Sequence, residues 1–347
     1  MRRADTLIAG AGPAGCAAAI ALVGAGERPL LIDRARHPRD VVCGGFLGWD
    51  ALALLDRIGV DAAALGAHPI RRVRIVAGTR IVEAALPRPA AGLSRRVLDG
   101  ALAAAAVAAG AGLERGIAIR RVDPAARRLA LADGAVLDAE RIVVATGKHD
   151  LRGIARPSGD AIGLRRRLVP TPTLARALAG TIELHLLPHG YAGLLLLEDG
   201  AANLCLSVGK AVLKGRDPDA LIAALDAPLL AERAAGGGDA WLAVAGVPYG
   251  WRAEPAPAGI ARIGDQAAVI ASLAGDGVAI ALASGRRVAD AAGFRAAARR
   301  PLAVAGALRT IAERPALAGA VLPLLGRLPG VIGLLARATR IADPDRL

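Results

Sequence analysis

The stretch LIAGAGPAGCAAAIALVGAG, residues 7–26, decides how this sequence is interpreted. It follows Met1, Arg2 and Arg3, so an export signal and a nucleotide-binding loop are both open at first sight. A signal peptide needs an unbroken apolar core before its cleavage site. Glycine and proline interrupt this run at positions 10, 12, 13 and 15, and the same breaks prevent it from spanning a bilayer. The stretch is therefore predicted to be neither a signal peptide nor a membrane helix.

A dinucleotide-binding unit explains the same stretch residue by residue. Asp5–Ala9 is predicted to be a short buried strand, and Gly10–Gly15 then reads GAGPAG, the GxGxxG pattern. Cys16–Ala25 is predicted to form the following helix. Pro29–Ile32 is a second apolar strand, and it ends at Asp33. This order of strand, glycine-rich turn, helix, strand and acid is typical of a Rossmann-like unit.

Each residue type in this unit has a physical task. Gly10 allows a tight turn, Gly12 lets a pyrophosphate approach the backbone, and Gly15 lets helix and strand pack closely. The helix N-terminus offers free N–H groups and a partial positive charge to phosphates. Asp33 stands where a carboxylate can accept hydrogen bonds from the ribose hydroxyls. The residues predicted to contact the dinucleotide here are Gly10, Gly12, Pro13, Ala14, Gly15, Asp33 and Arg34.

Two later segments indicate which dinucleotide is bound. Arg141–Gly147 (RIVVATG) is predicted to be a strand ending in the small residues Ala145, Thr146 and Gly147. Gly259–Asp265 (GIARIGD) is predicted to be a strand ending in an acidic turn, and Leu273–Val278 is a glycine-rich loop before a helix. Taken alone, each segment is also compatible with an ordinary core strand or a capped loop.

Together these segments resemble the FAD-dependent oxidoreductases with the p-hydroxybenzoate hydroxylase type of fold, and among them the geranylgeranyl reductase group. The resemblance covers about residues 4–290. It implies an α/β fold: a doubly wound Rossmann-like FAD-binding domain, an inserted antiparallel-sheet substrate domain and a helical C-terminal tail. It also implies that Asp265 contacts the ribityl chain, that the loop at Cys43 lies near the isoalloxazine ring, and that Arg95, preferred over Arg96, reaches FAD. The further FAD contacts implied are Cys43, Gly44, Arg95, Ala145, Thr146, Gly147, Gly264, Asp265, Gly275, Gly277 and Val278.

One segment departs from the family pattern. Flavin hydroxylases usually carry a motif of the form Asp-Gly-x-x-Ser-x-Val-Arg after the middle strand, and this motif is associated with handling both FAD and NAD(P)H. Residues 145–152 read ATGKHDLR instead. The departure counts against a hydroxylase that takes electrons directly from a nicotinamide.

The cofactor segments are dispersed along the chain, which predicts a nucleotide domain with insertions. FAD-binding segments are predicted at 1–68, 94–165 and 258–300, substrate-domain segments at 69–93 and 166–257, and a tail at 301–347. Residues 71–86 are predicted to form strands around Gly78, and residues 181–187, 192–198 and 201–208 to form further strands of an antiparallel sheet. Residues 217–235 are predicted to be one helix, and residues 301–342 to be helices broken at Pro315, Pro323 and Pro329.

Composition narrows the choice of partners. The net charge is +13, but 41 of the 44 basic residues are arginines, because lysine occurs only at positions 148, 210 and 214. These arginines are dispersed, so no nucleic-acid site is predicted. The apolar tail with Arg327, Arg337 and Arg340 suggests two alternatives, helices packed on the body or peripheral contact with a membrane. Three cysteines and five isolated histidines match no disulfide framework or metal site, and a reducing cytoplasmic location is expected.

The chemistry is assigned to the flavin, with the protein supplying position, shielding and protons. Cys43 and Tyr191 are the candidate proton donors. The lead hypothesis is reduction of a carbon–carbon double bond in a prenyl lipid or similarly apolar metabolite by hydride from flavin N5. The alternatives are a monooxygenase acting on an aromatic or polyketide compound, and a flavin-fold protein that binds a lipid or partner without turnover. NADPH and a separate electron donor both remain open as sources of electrons. The residues predicted to line the substrate site are Phe46, Trp49, Tyr191, Tyr249 and Trp251.

Overall fold

The computed structural model describes residues 3–341, so the predictions for residues 1–2 and 342–347 lie outside the described part. Strands and helices are numbered in chain order. The strands are β1 Arg3–Ala9, β2 Pro29–Asp33, β3 Phe46–Leu47, β4 His68–Ala77, β5 Arg80–Gly92, β6 Gly112–Arg115, β7 Ile119–Asp123, β8 Arg128–Leu131, β9 Val136–Val144, β10 Ala161–Leu168, β11 Thr181–Leu187, β12 Gly190–Leu196, β13 Ala202–Gly209, β14 Leu242–Val247 and β15 Ile260–Arg262. The helices are α1 Pro13–Gly24, α2 Trp49–Arg57, α3 Arg95–Ala109, α4 Pro172–Leu178, α5 Lys210–Leu213, α6 Pro218–Ala224, α7 Pro228–Ala234, α8 Gly277–Arg286, α9 Ala291–Ala312, α10 Pro315–Arg327 and α11 Pro329–Ala338.

The first sheet is the nucleotide-binding one. Its order is β6-β2-β1-β9-β8-β7, with β15 also pairing β9. The pairs β1–β2, β1–β9, β2–β6 and β9–β15 are parallel, whereas β7–β8 and β8–β9 are antiparallel. Because the parallel strands all end at one edge, the glycine-rich turn, Asp33 and the Ala145–Gly147 segment meet there. The second sheet has the order β14-β10-β13-β12-β11-β4-β5-β3, and the two-sheet α/β arrangement confirms the predicted fold class.

The second sheet is not wholly antiparallel. Strand β11 runs parallel to β4, with Thr181 opposite Arg72, and the remaining pairs are antiparallel. A parallel pair requires a long connection between its strands. Here the chain between β4 and β11 passes through the nucleotide-binding sheet, which supplies that connection. The sequence pattern alone did not reveal which strands are neighbours.

Helix α1 explains the apolar character of residues 13–24. It begins at Pro13, three residues earlier than predicted, because the fixed φ of proline suits the first helical turn. Most of its residues are buried, and it packs mainly against α8 and α3. A Cβ on Gly285 would lie 2.3 Å from the carbonyl oxygen of Ala14, so the two helices approach very closely. The apolar run is therefore a core helix.

Prolines account for further differences between the predicted and observed helices. The single helix expected over residues 217–235 is two helices, α6 and α7, because Pro228 begins a new helix. The predicted break at Pro323 is wrong, since α10 continues through it. Proline at 323 leaves the carbonyl of Gly319 without its helical N–H partner, and the guanidinium of Arg80 donates to that oxygen at 2.7 Å. Helix α9 likewise contains Pro301, so one helix continues across the predicted boundary at residue 301.

The apolar core is divided between the two sheets. The largest buried cluster lies among α1, α2, α3, α8 and α9. A second cluster covers one face of the second sheet under α4, α6 and α7. The opposite face of the second sheet is turned toward the edge of the first sheet where the parallel strands end. Within residues 3–341 no single helix is long and apolar enough to cross a membrane, although the bent pair α10–α11 passes that test by length and composition.

Candidate active site

A cleft of about 380 Å³ lies between the ends of the parallel strands and the second sheet. All but three of the residues predicted to form the site line this cleft. The exceptions are Gly15, Trp49 and Trp251. The lining members of the predicted set are Gly10, Gly12, Pro13, Ala14, Asp33, Arg34, Cys43, Gly44, Phe46, Arg95, Ala145, Thr146, Gly147, Tyr191, Tyr249, Gly264, Asp265, Gly275, Gly277 and Val278.

The glycine-rich loop is held by contacts that leave no room for side chains. Gly10 has a φ of 111°, and a Cβ there would lie 2.6 Å from the carbonyl oxygen of Ala145. Gly15 lies behind the loop, where a Cβ would lie 1.9 Å from the carbonyl oxygen of Gly10. The loop backbone thus lies in close contact with both the end of β9 and helix α1. The first N–H groups of α1 consequently face the cleft, which suits a phosphate.

Asp33 fastens the second strand to this loop. Its carboxylate accepts hydrogen bonds from the backbone N–H of Ala11 at 2.8 Å and of Ala35 at 2.7 Å, one on each oxygen. An ionised carboxylate has about four acceptor sites, so both oxygens can still accept from a hydroxyl in the cleft. Asp33 therefore fits a ribose while also fixing the loop.

Arg95 provides positive charge opposite the loop. It lies in the first turn of α3 and forms a two-point ion pair with Asp99, at 2.8 Å on each contact. A Cβ on Gly12 would lie 3.5 Å from its guanidinium, so glycine keeps open the gap between loop and cation. Burial opposes the charge of Arg95, but Asp99 outweighs burial and raises the pKa of Arg95. The neighbouring Arg96 is exposed and approaches Glu198 at 4.0 Å instead.

Lys148 and Asp265 face each other at 3.5 Å across the cleft. Lys148 belongs to the segment that replaces the hydroxylase motif, and sequence reasoning did not select it. Burial works against its charge, but Asp265 and other neighbours outweigh burial and raise the pKa of Lys148. Gly264 holds the acidic turn close to α1, with a φ of 60° and its N–H donating to Ser284 Oγ at 2.7 Å. Being one of three lysines in the chain was the signal that could have singled Lys148 out.

The loop containing Cys43 is tied to the second sheet. Asn203 donates to the carbonyl oxygen of Cys43 at 3.1 Å, and Arg165 and Arg167 both pair with Asp40. The Cys43 sulfur accepts the N–H of Gly45 at 3.5 Å. The loop is therefore anchored to β10 and β13 of the second sheet.

The other two thiols are unsuited to acid–base chemistry. Cys16 is buried in α1, and Cys205 lines the cleft from β13. Burial raises the pKa of both thiols to about 12. Neither thiol forms an appreciable amount of thiolate near neutral pH.

Four hydroxyl groups meet at the side of the cleft formed by the second sheet. Tyr191 and Tyr249, the two tyrosines of the chain, each bond Ser272 Oγ at 2.6 Å. Ser207, opposite Tyr191 on β13, donates to the Tyr249 hydroxyl at 3.3 Å. Burial raises the pKa of Tyr191 well above its usual range. Ser272 stands three positions before Gly275, so this cluster joins the substrate sheet to the loop predicted to lie beside the flavin.

The predicted aromatic residues divide into two groups. Phe46 lies in the cleft, and a Cβ on Gly275 would lie 2.6 Å from its ring. Trp49 lies outside the cleft under Arg340, 4.5 Å from the guanidinium carbon to the ring centre. Trp251 lies outside it under Arg262 at 4.9 Å. The structure therefore does not bring Trp49 and Trp251 to the substrate site, because each ring packs against an arginine outside the cleft.

Comparison with known proteins agrees with this geometry. Residues 3–125 match the family model described as an FAD binding domain. A menaquinone reductase from Mycolicibacterium smegmatis is 27% identical over 318 residues, which cover 83% of this chain and 76% of the relative. A menaquinone reductase from Mycobacterium tuberculosis is 32% identical over 171 residues, 47% of this chain and 40% of the relative.

Solved structures share the fold at low sequence identity. The flavin-dependent brominase Bmp2 superposes with a TM-score of 0.78 at 16% identity, covering 98% of this chain and 95% of its own. PqsL from Pseudomonas aeruginosa, described as a probable FAD-dependent monooxygenase, gives 0.65 at 17% identity, with 93% and 100% covered. The chain therefore has the fold of FAD-dependent oxidoreductases, and its first segment is an FAD-binding domain. These matches support FAD as the cofactor and do not extend to NADPH, which stays a prediction.

Proposed function

We propose that this FAD-dependent oxidoreductase reduces a carbon–carbon double bond of a hydrophobic substrate of the prenyl-lipid class. One observation carries the proposal: the hydroxyl cluster of Tyr191, Ser272 and Tyr249, in which Tyr191 is the buried member, borders the same cleft as the dinucleotide loop. Menaquinone is an apolar quinone with a prenyl side chain, so the names of the two relatives support this substrate class. A resemblance to the geranylgeranyl reductase group points in the same direction.

The residues that line the cleft suit FAD in their chemistry. The glycine-rich loop and Arg95 would hold the pyrophosphate, Asp33 the adenosine ribose, and Asp265 the ribityl chain. The gap between Gly12 and Arg95, which a Cβ would fill, is the feature that carries this fit. When bound, FAD supplies the hydride for the reduction.

The chain itself supplies the proton, and Tyr191 is the donor that the geometry favours. Its hydroxyl is buried, and its raised pKa keeps it protonated throughout the neutral range. Ser272 bonds both tyrosines, so it can return a proton to Tyr191 from Tyr249, which is less buried. Cys43 is the weaker candidate, because its sulfur accepts a backbone N–H and no hydroxyl contacts it among the described residues.

Apolar side chains form the wall beside this cluster. Ile182, Leu184, Leu195 and Phe46 line the cleft on the side of β11 and β12. They offer an isoprenoid chain a dry surface, and each buried methylene contributes about 0.8 kcal/mol to binding. Exclusion of water also protects a reduced cofactor from side reactions.

The source of electrons and the reaction type are tested together with purified protein under anaerobic conditions. The visible spectrum must first show bound flavin. We expect NADPH to leave the flavin oxidised and dithionite to bleach it, since the hydroxylase motif is replaced by ATGKHDLR. Bleaching by NADPH, followed by oxygen-dependent hydroxylation of an aromatic compound, would establish the monooxygenase alternative instead.

The product identifies the reaction. Menaquinone is added anaerobically to the dithionite-reduced enzyme, and the lipid is analysed by mass spectrometry after exposure to air. A prenyl chain carrying two extra hydrogen atoms supports the proposal, because a reduced quinone ring would be reoxidised in air. Unchanged menaquinone contradicts this substrate, and absence of turnover with any prenyl lipid favours the non-catalytic alternative. Asp265→Ala is expected to lose FAD; if both occupancy and activity survive, the cofactor placement is wrong.

A further inference from the structure

The C-terminal helices carry an unusual share of the exposed apolar surface. In residues 3–341, ten large apolar side chains are exposed, and five of them lie between positions 317 and 334, with exposed fractions from 36% to 63%. Scattered exposed apolar residues are ordinary, but a group of them indicates a binding surface. These five residues, which we call the tail face, are Leu317, Leu324, Leu328, Val331 and Leu334.

Helix α10 is apolar on two neighbouring sides, about 100° apart around its axis. On the inner side Ala318 and Leu322 are buried and Leu325 packs against the second sheet. On the outer side Leu317, Leu324 and Leu328 follow one another at helical spacings of seven and four. A surface helix with a single partner needs only one apolar side. The outer side therefore lacks a partner among the described residues.

The charged residues within the tail helices have one sign. Residues 314–341 contain four arginines and no aspartate or glutamate. Arg314, Arg327 and Arg337 are exposed, and none of them forms an ion pair within residues 3–341. An apolar surface bordered by exposed arginines complements a layer that is apolar inside and anionic at its surface.

We propose that the tail face docks on the surface of a membrane that contains anionic lipids. Helices α10 and α11 meet at a bend of 116°, which suits two helices lying on a surface. A second copy of the chain is the less suitable occupant, because face-to-face pairing would bring six exposed arginines together, three from each copy. Like charges placed opposite each other destabilise an interface.

The inner sides of the tail helices, not the tail face itself, adjoin the wall of the cleft. Leu325 and Ile332 share an apolar cluster with Ile182 and Leu184, and the latter two line the cleft. A docked tail would thus place the apolar wall of the site close to the lipid layer. This link to a lipid substrate rests on the proposed function, whereas docking itself does not.

Co-sedimentation with vesicles tests the proposal on the flavin-loaded full chain. Neutral phosphatidylcholine vesicles are compared with vesicles that also contain phosphatidylglycerol. The test variant replaces Leu324, Leu328 and Leu334 with asparagine. The matched control replaces three exposed valines outside the tail, Val107, Val136 and Val169, with asparagine. Flavin absorbance and thermal unfolding show that each variant is folded.

We expect the wild type and the valine control to sediment with anionic vesicles, and the leucine variant to stay in solution. Arg327→Gln with Arg337→Gln should weaken binding about 30-fold, since each basic residue near such a surface contributes about fivefold. Wild type that ignores anionic vesicles, or a leucine variant that binds as wild type does, overturns the proposal. So does a wild-type dimer that only the leucine substitutions dissociate. Vesicle binding is read without turnover, so retained docking with no reductase activity refutes the proposed function alone.

Discussion

Replacing Tyr191 with phenylalanine separates proton delivery from cofactor binding. The substitution removes one hydroxyl and keeps the ring, which is 4% exposed. Ser272 loses one of its two tyrosine partners but keeps Tyr249 at 2.6 Å, so no buried polar group becomes unpartnered. A typical hydrogen bond contributes about 1 kcal/mol to stability. The variant should therefore unfold at nearly the same temperature and retain its flavin.

The effect on the reaction should be much larger. A positioned general acid contributes roughly a hundredfold to ten-thousandfold to a rate, so reoxidation of the reduced flavin by substrate should slow by at least about a hundredfold. Burial raises the pKa of Tyr191 well above its usual value. The acid form therefore persists as the pH rises, and the wild-type rate should show no loss from this group up to pH 10, the ordinary pKa of a tyrosine side chain.

The assay is anaerobic stopped-flow absorbance of dithionite-reduced enzyme mixed with menaquinone, with product mass as the second readout. Tyr249→Phe is the comparison, because it removes a hydroxyl bonded to the same serine at the same 2.6 Å. Its loss should be smaller, since Tyr191 keeps its contact with Ser272. A Tyr191→Phe variant within twofold of the wild type refutes the assignment. Equal losses in the two variants would show that neither tyrosine is the specific donor.

Three further predictions concern the framework of the site. Gly15→Ala should reduce flavin retention and destabilise the fold by about 1–3 kcal/mol. Although alanine favours helix, its Cβ would lie 1.9 Å from the Gly10 carbonyl oxygen. Unchanged flavin content and melting temperature would contradict this prediction. Burial would raise the pKa of Glu183, but hydrogen bonds from His185 and Arg74 lower it from 4.5 to about 2. Ionised Glu183 therefore stabilises the folded protein by roughly 3 kcal/mol. This contribution is present above pH 4.5 and is lost as the pH falls toward 2. In Glu183→Gln the free energy of unfolding should therefore depend less on pH over that range. Arg340→Met should lower the free energy of unfolding, measured with urea, by about 3–5 kcal/mol. A double variant that also carries Asp276→Asn should recover part of this loss. Additive effects of the two substitutions would refute the coupling.

Local patterns predicted the parts of the site that depend on backbone conformation. The turn at Gly10, the contact behind Gly15 and the end of β2 at Asp33 each require a particular residue type at a fixed spacing. Such requirements are visible in a short stretch of sequence. The same holds for the hairpin of β12 and β13, where Asp199 and Gly200 mark the turn.

Contacts between distant segments were not predictable in this way. Ser272 bonds both tyrosines only because β12 and the loop before α8 meet in the fold. The sequence around Ser272 does not distinguish it from a capping serine. Trp49 was assigned to the substrate site because it follows the turn of Cys43, Gly44 and Gly45, and Trp251 because aromatic residues are rare here. The rarity of aromatic residues does not indicate where in the fold a ring lies. Both rings pack against arginines outside the cleft.

Arg340 shows why such contacts matter for the site. It extends from the end of the tail to Asp276, which begins α8 and is fully buried, and it also approaches Asp50 at 3.7 Å. Asp276 lies between the two glycines predicted to flank the flavin, and within the described residues its carboxylate has no hydrogen-bonding partner apart from this ion pair. Removing the tail from its position would leave a buried carboxylate uncompensated, which costs several kcal/mol. The tail and the loop beside the predicted flavin site are therefore energetically coupled, so the position of one constrains the other.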